Sequence, residues 1–387
     1  MNYEMLAKQM MKWRHELHRC PEPGMEEYKT SDYIAARLDE LGIEYYRNIG
    51  KTGIVGVIKA GTGERKIGLR ADIDALEYDE VKQSDYRSEN PGWMHACGHD
   101  GHISMLLGAA KVLSEEKDFD GTVYLVFQPG EEPGLGARAM LDDGLLERFP
   151  MEAIYGMHND PQAPLGTIRT RVGGAKSSLD DFKITIHGQG THSSAPHTGK
   201  DPIVIAAEII SALQTIVSRC VSPQDIAVVT CTDVRTDGIK YTIPSEVVIE
   251  GDCRTFNPKV QKVFEEKMRA ISTAICGMYG ATCDVEYALN CLPVINDAAR
   301  TAIAVEAAKR VVGVENVDGN CAPVTSSEDF SFYCEKIPAC YCFLGARTVP
   351  GYDVALHNPN FDFNDAALLY GARLYLEIVR GELGKKV

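Results

Sequence analysis

The sequence predicts a two-domain α/β chain, a mixed-sheet α/β domain interrupted by a smaller α+β domain inserted at residues 176–289. Three observations predict it. Helix-period stretches alternate with short apolar runs over residues 1–175, the same alternation returns over residues 290–387, and the stretch between follows a different order. A chain of 387 residues that is 44% hydrophobic has apolar surface enough for a large core and length enough for more than one domain.

In the first segment, helical periodicity covers residues 5–17 and 30–41, and apolar runs bounded by turns lie at 67–69, 123–127 and 154–157. Runs that short between helical stretches read as strands of one sheet layered with helices. The last segment completes the same sheet with a helix at 301–312, an apolar run at 340–344 and a helix from 366 to 379. Between them come a strand at 182–186, a helix at 202–219, strands at 226–231 and 247–253, a helix at 260–279 and a strand at 283–287. That β-α-β-β-α-β order is the ferredoxin-like open sandwich. A small inserted sandwich commonly covers a site or supplies an edge for self-association.

Composition excludes some partners. The formal charge of −15 disfavours nucleic acid and anionic membrane surfaces, which select for clustered Lys and Arg. Residues 1–20 carry charges throughout, and no later stretch approaches the ~18 apolar residues of a membrane span, so a cytoplasmic location is expected. The twelve cysteines are scattered, with no secretion signal, and are expected to be reduced. Most read as small buried hydrophobes; Cys97 does not.

Residues 94–102, Met-His-Ala-Cys-Gly-His-Asp-Gly-His, place four ring or thiol donors within eight positions ahead of an apolar helix. Cys97 and His99, with Gly98 between them, can aim thiolate and imidazole at one locus, which suits Zn²⁺ or another late transition metal. His95 and His102 read equally well as supporting or structural residues. At 127–132 an apolar strand ends at two adjacent carboxylates, Glu131 and Glu132. Consecutive side chains diverge, so one can ligate a metal while the other takes a proton from water. His158 and His357 each follow an apolar run, and donors at the carboxyl ends of strands lie where open α/β sheets keep their sites. Asp72 and Asp74, two apart after a strand, point to one side. Asp74 reads as the carboxylate that orients a metal-bound imidazole, and Asp72 as a ligand or a second orienting group.

Taken in order, residues 70–76, 94–102, 127–132, 190–197, 327–330 and 356–357 resemble the M20 metallopeptidase family, in its Cys-ligand amidohydrolase subgroup of hippurate hydrolases, N-acyl-amino-acid amidohydrolases and auxin-conjugate hydrolases. The resemblance covers essentially the whole chain. It implies a zinc-peptidase-like catalytic domain and makes the insert a lid and dimerisation domain. It implies that Cys97, His99, Glu132, His158 and His357 hold two divalent metal ions (Mn, Zn, Co or Ni), with Glu131 as general base. It gives His192 a role at the scissile carbonyl and makes Arg254 a motif match for substrate recognition.

The sequence departs from the family pattern where substrate is read. Tyr241 fills the slot that usually holds Asn ahead of Ile243-Pro244, and Asn159-Asp160 follow His158 where an apolar residue is common, so Tyr241 and Asn159 are candidate substrate contacts. The expected reaction is hydrolysis of an N-acyl amino acid or similar small amide, in a homodimer. A dipeptidase or carboxypeptidase of the same family, or an N-acetyl-diaminopimelate deacetylase, is the alternative within hydrolases. A non-catalytic metal-binding protein is the alternative outside them.

Overall fold

The computed structural model describes residues 2–347 and 354–385. The chain divides into two compact units: Met1–Ala175 with Ile295–Ala322 and Asp329–Val387, and Lys176–Val294 with Pro323–Glu328.

In the first unit, helices α1 (Tyr3–His18) and α2 (Tyr28–Glu40) lead into an antiparallel hairpin of β1 (Glu44–Ile49) and β2 (Gly53–Ala60). Strand β3 (Lys66–Asp72), helix α3 (His99–Glu116), strand β4 (Gly121–Gln128) and strand β5 (Ala153–Pro164) follow. The eight-stranded sheet runs β1-β2-β4-β3-β5 and continues with Ala339–Arg347, Ile168–Arg169 and Val317–Asp318. β3 is parallel to β4 and β5, and β5 is parallel to Ala339–Arg347, while the β1-β2 end is antiparallel, so the sheet is mixed. Every residue of β4 is buried, as expected of a central strand with cover on both faces. Met10 and Trp13 of α1, Leu106 and Leu113 of α3, and Leu374 and Ile378 of the C-terminal helix Leu368–Leu383 close the core.

The second unit is a four-stranded antiparallel sheet in the order Ala227–Thr236, Glu246–Thr255, Leu179–His187, Thr282–Cys291. Helices Pro202–Thr215 and Pro258–Met278 pack Ile205, Ile209, Leu213, Phe264 and Met268 on it. Residues 323–328 were not expected in this unit. They join it because Ser177 hydrogen-bonds the carbonyls of Val324, Thr325 and Ser326, a pairing with no local sequence signature.

One expectation needs correction. The stretch Pro202–Cys220 is long and apolar enough to cross a membrane by length and composition. Its Ile205, Ile209, Leu213 and Ile216 lie in the core of the second unit, while Ile203 and Val204 are exposed.

Candidate metal centre

Gly98 has φ +92, a left-handed backbone that turns the chain between Cys97 and the first residue of α3, His99. The imidazole of His99 is buried, with Nδ1 3.0 Å from the Asp74 carbonyl and 3.1 Å from Asp74 Oδ1. A ring that donates through Nδ1 presents the Nε2 lone pair on its far side. Asp74 uses its other oxygen to accept from the Glu132 backbone N–H at 2.9 Å, so one carboxylate sets both the imidazole and the turn after β4. That turn is closed by the N–H groups of Leu135 and Gly136 on the Gly130 carbonyl.

His158 lies within β5, which runs on to Pro164 instead of ending at residue 157. Its Nδ1 donates to the Asn159 carbonyl at 2.8 Å and its Nε2 stands 3.3 Å from Cys97 Sγ. His357 also departs from expectation: it sits in a loop, not at a strand end, with φ 58, and its N–H is bound to the Ala96 carbonyl at 2.9 Å. Its Nε2 is 3.4 Å from Glu132 Oε2. Donor atoms of Cys97, His99 and His158, of Cys97, Glu132 and His357, and of His99, Glu131 and Glu132 fall within 4.8 Å of one another in each set. The structure thus gathers all five expected ligands and Glu131 at one place.

The residues fit a metal. His99 Nε2 and Glu132 Oε1 are buried, 3.8 Å apart, and neither has a hydrogen-bond partner. Unsatisfied buried polar atoms are costly, and a cation is what both would bind. Burial pushes the Cys97 thiol well up, reinforced by Glu132, and burial raises the Glu132 carboxyl to about 7 against the pull of His99. Burial alone would lower His99, but Asp72 and Cys97 hold it well above the usual imidazole range. Thiolate, imidazole and carboxylate donors at this spacing match a late divalent metal, whose charge reverses the cost of burying the anions.

Beneath these donors lies a layer of which sequence reasoning anticipated only Asp72. The fully buried Arg70 donates to Asp72 Oδ2 at 2.7 Å, to Gln128 Oε1 at 2.8 Å and to Asp329 Oδ1 at 3.1 Å. Gln128 donates to Asp329 in turn, and Asp329 also accepts from the Ala137 N–H. The available signal was Arg70-x-Asp72, two charges on one face of a strand that is otherwise apolar. Asn159 is a correction: it is 2% exposed and accepts from the His102 ring, so its side chain is part of the interior and not a substrate contact.

Three candidates belong to the second unit. His192 is exposed, and its Nδ1 faces the Ser194 backbone N–H at 3.2 Å and hydroxyl at 2.7 Å. Accepting there leaves the proton on Nε2, which faces outward as a donor. Tyr241, with φ 72, stands beside it where Thr242 pairs with His192. Arg254 is engaged by Asp252 at 2.8 Å and by the Thr325 carbonyl at 3.3 Å.

A buried Cys/His/Glu donor cluster on a mixed α/β sheet, with a second carboxylate beside it, defines a metal-dependent hydrolase. The chain belongs to the peptidase family M20/M25/M40, whose pattern matches residues 68–381. It is 39% identical over 377 residues to the hippurate hydrolase of Campylobacter jejuni subsp. jejuni, covering 96% of each chain. With the N-acetyl-L-cysteine deacetylase of Bacillus subtilis it shares 37% identity over 95% of this chain and 86% of that one. A solved M20 structure from Bacillus subtilis, described as a dinuclear metal binding peptidase, superposes with a TM-score of 0.85 at 32% identity, over 97% of this chain and 98% of that one.

Proposed function

We propose that this hydrolase cleaves the amide bond of N-acyl amino acids, with two divalent ions held by Cys97, His99, Glu132, His158 and His357. The observation that carries the reading is the unpartnered buried pair His99 Nε2 and Glu132 Oε1, beside a second carboxylate, Glu131. Bound divalent ions supply Lewis acidity, polarising the scissile carbonyl and lowering the pKa of water from ~16 toward ~7. Glu131 takes the proton from the attacking water and passes it to the leaving nitrogen, while Glu132, 3.8 Å from His99 and 3.4 Å from His357, serves as the ligand. Asp74 keeps the His99 ring in the tautomer that offers Nε2. His192 donates its Nε2 proton to the developing oxyanion, in the tautomer that Ser194 sets. The names of the relatives support an acyl amino acid as substrate. We assign the second unit to lid and homodimer contacts, and the metal to Mn, Zn, Co or Ni, which all accept this donor set.

The test is hydrolysis of N-benzoyl and N-acetyl amino acids and of dipeptides by chelator-stripped protein, before and after Mn²⁺ or Zn²⁺. Restored cleavage of the acyl amino acids is expected. Restored cleavage of dipeptides alone would move the assignment to a dipeptidase. Glu131→Gln is expected to keep both ions, counted by elemental analysis, and to lose at least about 10²–10⁴ in kcat; near-normal turnover would remove Glu131 as the base.

A further inference from the structure

Three histidines surround the donor cluster, and their ring nitrogens are not used alike. His99 has Nδ1 tied to Asp74 and Nε2 without a partner. His158 has Nδ1 tied to the Asn159 carbonyl and Nε2 turned to Cys97. His102, one helical turn after His99, has both nitrogens tied: Nδ1 lies 2.6 Å from Asp72 Oδ1, and Nε2 lies 2.7 Å from Asn159 Oδ1 and 3.2 Å from the Asn159 backbone N. A ring with both nitrogens engaged by protein has no lone pair left for a metal. It is fully buried and wedged between the other two rings, stacked on His99 at 5.4 Å and edge-on to His158 at 4.8 Å between centroids.

We propose that His102 is a positioning residue that sets the two ligand histidines through Asp72 and Asn159, an inference that rests on the metal reading above. On one side, His102 holds the Asn159 side chain, and the carbonyl of that same residue fixes the His158 ring. On the other, His102 and Arg70 hold one oxygen each of Asp72. Asp72 Oδ2, held by Arg70, stands only 3.7 Å from His99 Nε2, and a carboxylate released at Oδ1 can turn further toward that nitrogen. Such a contact would occupy the nitrogen that His99 offers to the metal. His102 therefore acts twice, by aiming the His158 ring and by withholding Asp72 from His99.

The experiment is competition between a chromophoric chelator and the full chain for Mn²⁺, with His102→Ala and His102→Gln beside the parent. Melting of the chelator-treated proteins is followed in parallel. His102→Ala is expected to bind Mn²⁺ about 10- to 100-fold more weakly at unchanged stoichiometry, with a lowered but still cooperative metal-free melting transition. His102→Gln, whose amide both donates and accepts, is expected to recover much of the affinity. Parent-like affinity in His102→Ala would reduce His102 to core filling, and loss of one ion at any Mn²⁺ concentration would make it a ligand; either overturns the proposal. A parent chain that binds no Mn²⁺ would instead defeat the metal reading itself. If His102→Ala does not fold, His102→Gln carries the test: its affinity falls by less than that of a ligand loss, and parent-like stoichiometry is required.

Discussion

At the residue scale, Gly98 shows how little room the centre leaves. A Cβ there would sit 2.7 Å from Asn159 Oδ1, on a backbone whose φ of +92 L side chains rarely adopt. Gly98→Ala therefore strains the turn and pushes Asn159 off His102 at once, with the turn alone worth about 1–2 kcal/mol. The expected outcome is a folded protein with Mn²⁺ affinity lowered tenfold or more, read by chelator competition with circular dichroism as the folding control. Unchanged affinity would show that the Cys97 and His99 donors tolerate movement of the segment between them. The sequence made the donors legible because Cys97, His99, Glu131 and Glu132 are chemically conspicuous at close spacing. Asn159 was misread for a reason equally physical. In a strand, successive side chains face opposite sides, so Asn159 points away from the face that holds His158. The His102 ring of α3 and the turn at Gly98 cover it regardless, and adjacency to a ligand said nothing of this.

Among the elements, α1 and α3 are joined by a charge pair that no helical periodicity announces. His18 Nδ1 stands 2.8 Å from Asp100 Oδ2, and both side chains are buried. Burial would lower the imidazole, but Asp100 and Glu80 raise it to about 9 from its usual 6.5. A raised folded-state value makes the contribution to stability full below pH 6.5 and lost as pH climbs through 9. The window is worth about 3 kcal/mol at most. Urea unfolding of the parent and His18→Gln from pH 6 to pH 10 should show the parent losing its advantage across that window, and parallel profiles would dismiss the pair. The long helices given bounds were legible to within a few residues, since periodic apolar faces carry their own signal, whereas the short helices Gly136–Asp142, Leu145–Arg148 and Ser331–Lys336 were not anticipated. The two-residue strands Ile168–Arg169 and Val317–Asp318, and the docking of residues 323–328 on the second unit, were not. Pairings that short are decided by distant partners, not by local pattern.

For the whole molecule, the open question is what the second unit presents outward. Helix Pro202–Thr215 turns one apolar face into its own core, yet Ile203 and Val204 remain 50% and 46% exposed, beside a shallow cavity lined by Ala207, Ala212 and Ile275. On a chain with a net charge of −15, exposed apolar residues give like-charged copies a less charged surface on which to meet, although Glu208 also lines this one. For the homodimer proposed above, this face is the seat to test. A carboxylate placed at Val204 would be desolvated in such a contact. Val204→Asp is expected to convert the dimer to monomer in sedimentation velocity at micromolar concentration, while Mn²⁺ affinity at the Cys97 cluster stays unchanged. If the variant remains dimeric, the contact belongs elsewhere, and the edge strand Ala227–Thr236 with exposed Val228 and Val234 is the next surface to charge. If the parent itself sediments as a monomer, the assignment of dimer contacts to this unit falls, and the apolar face requires a different occupant.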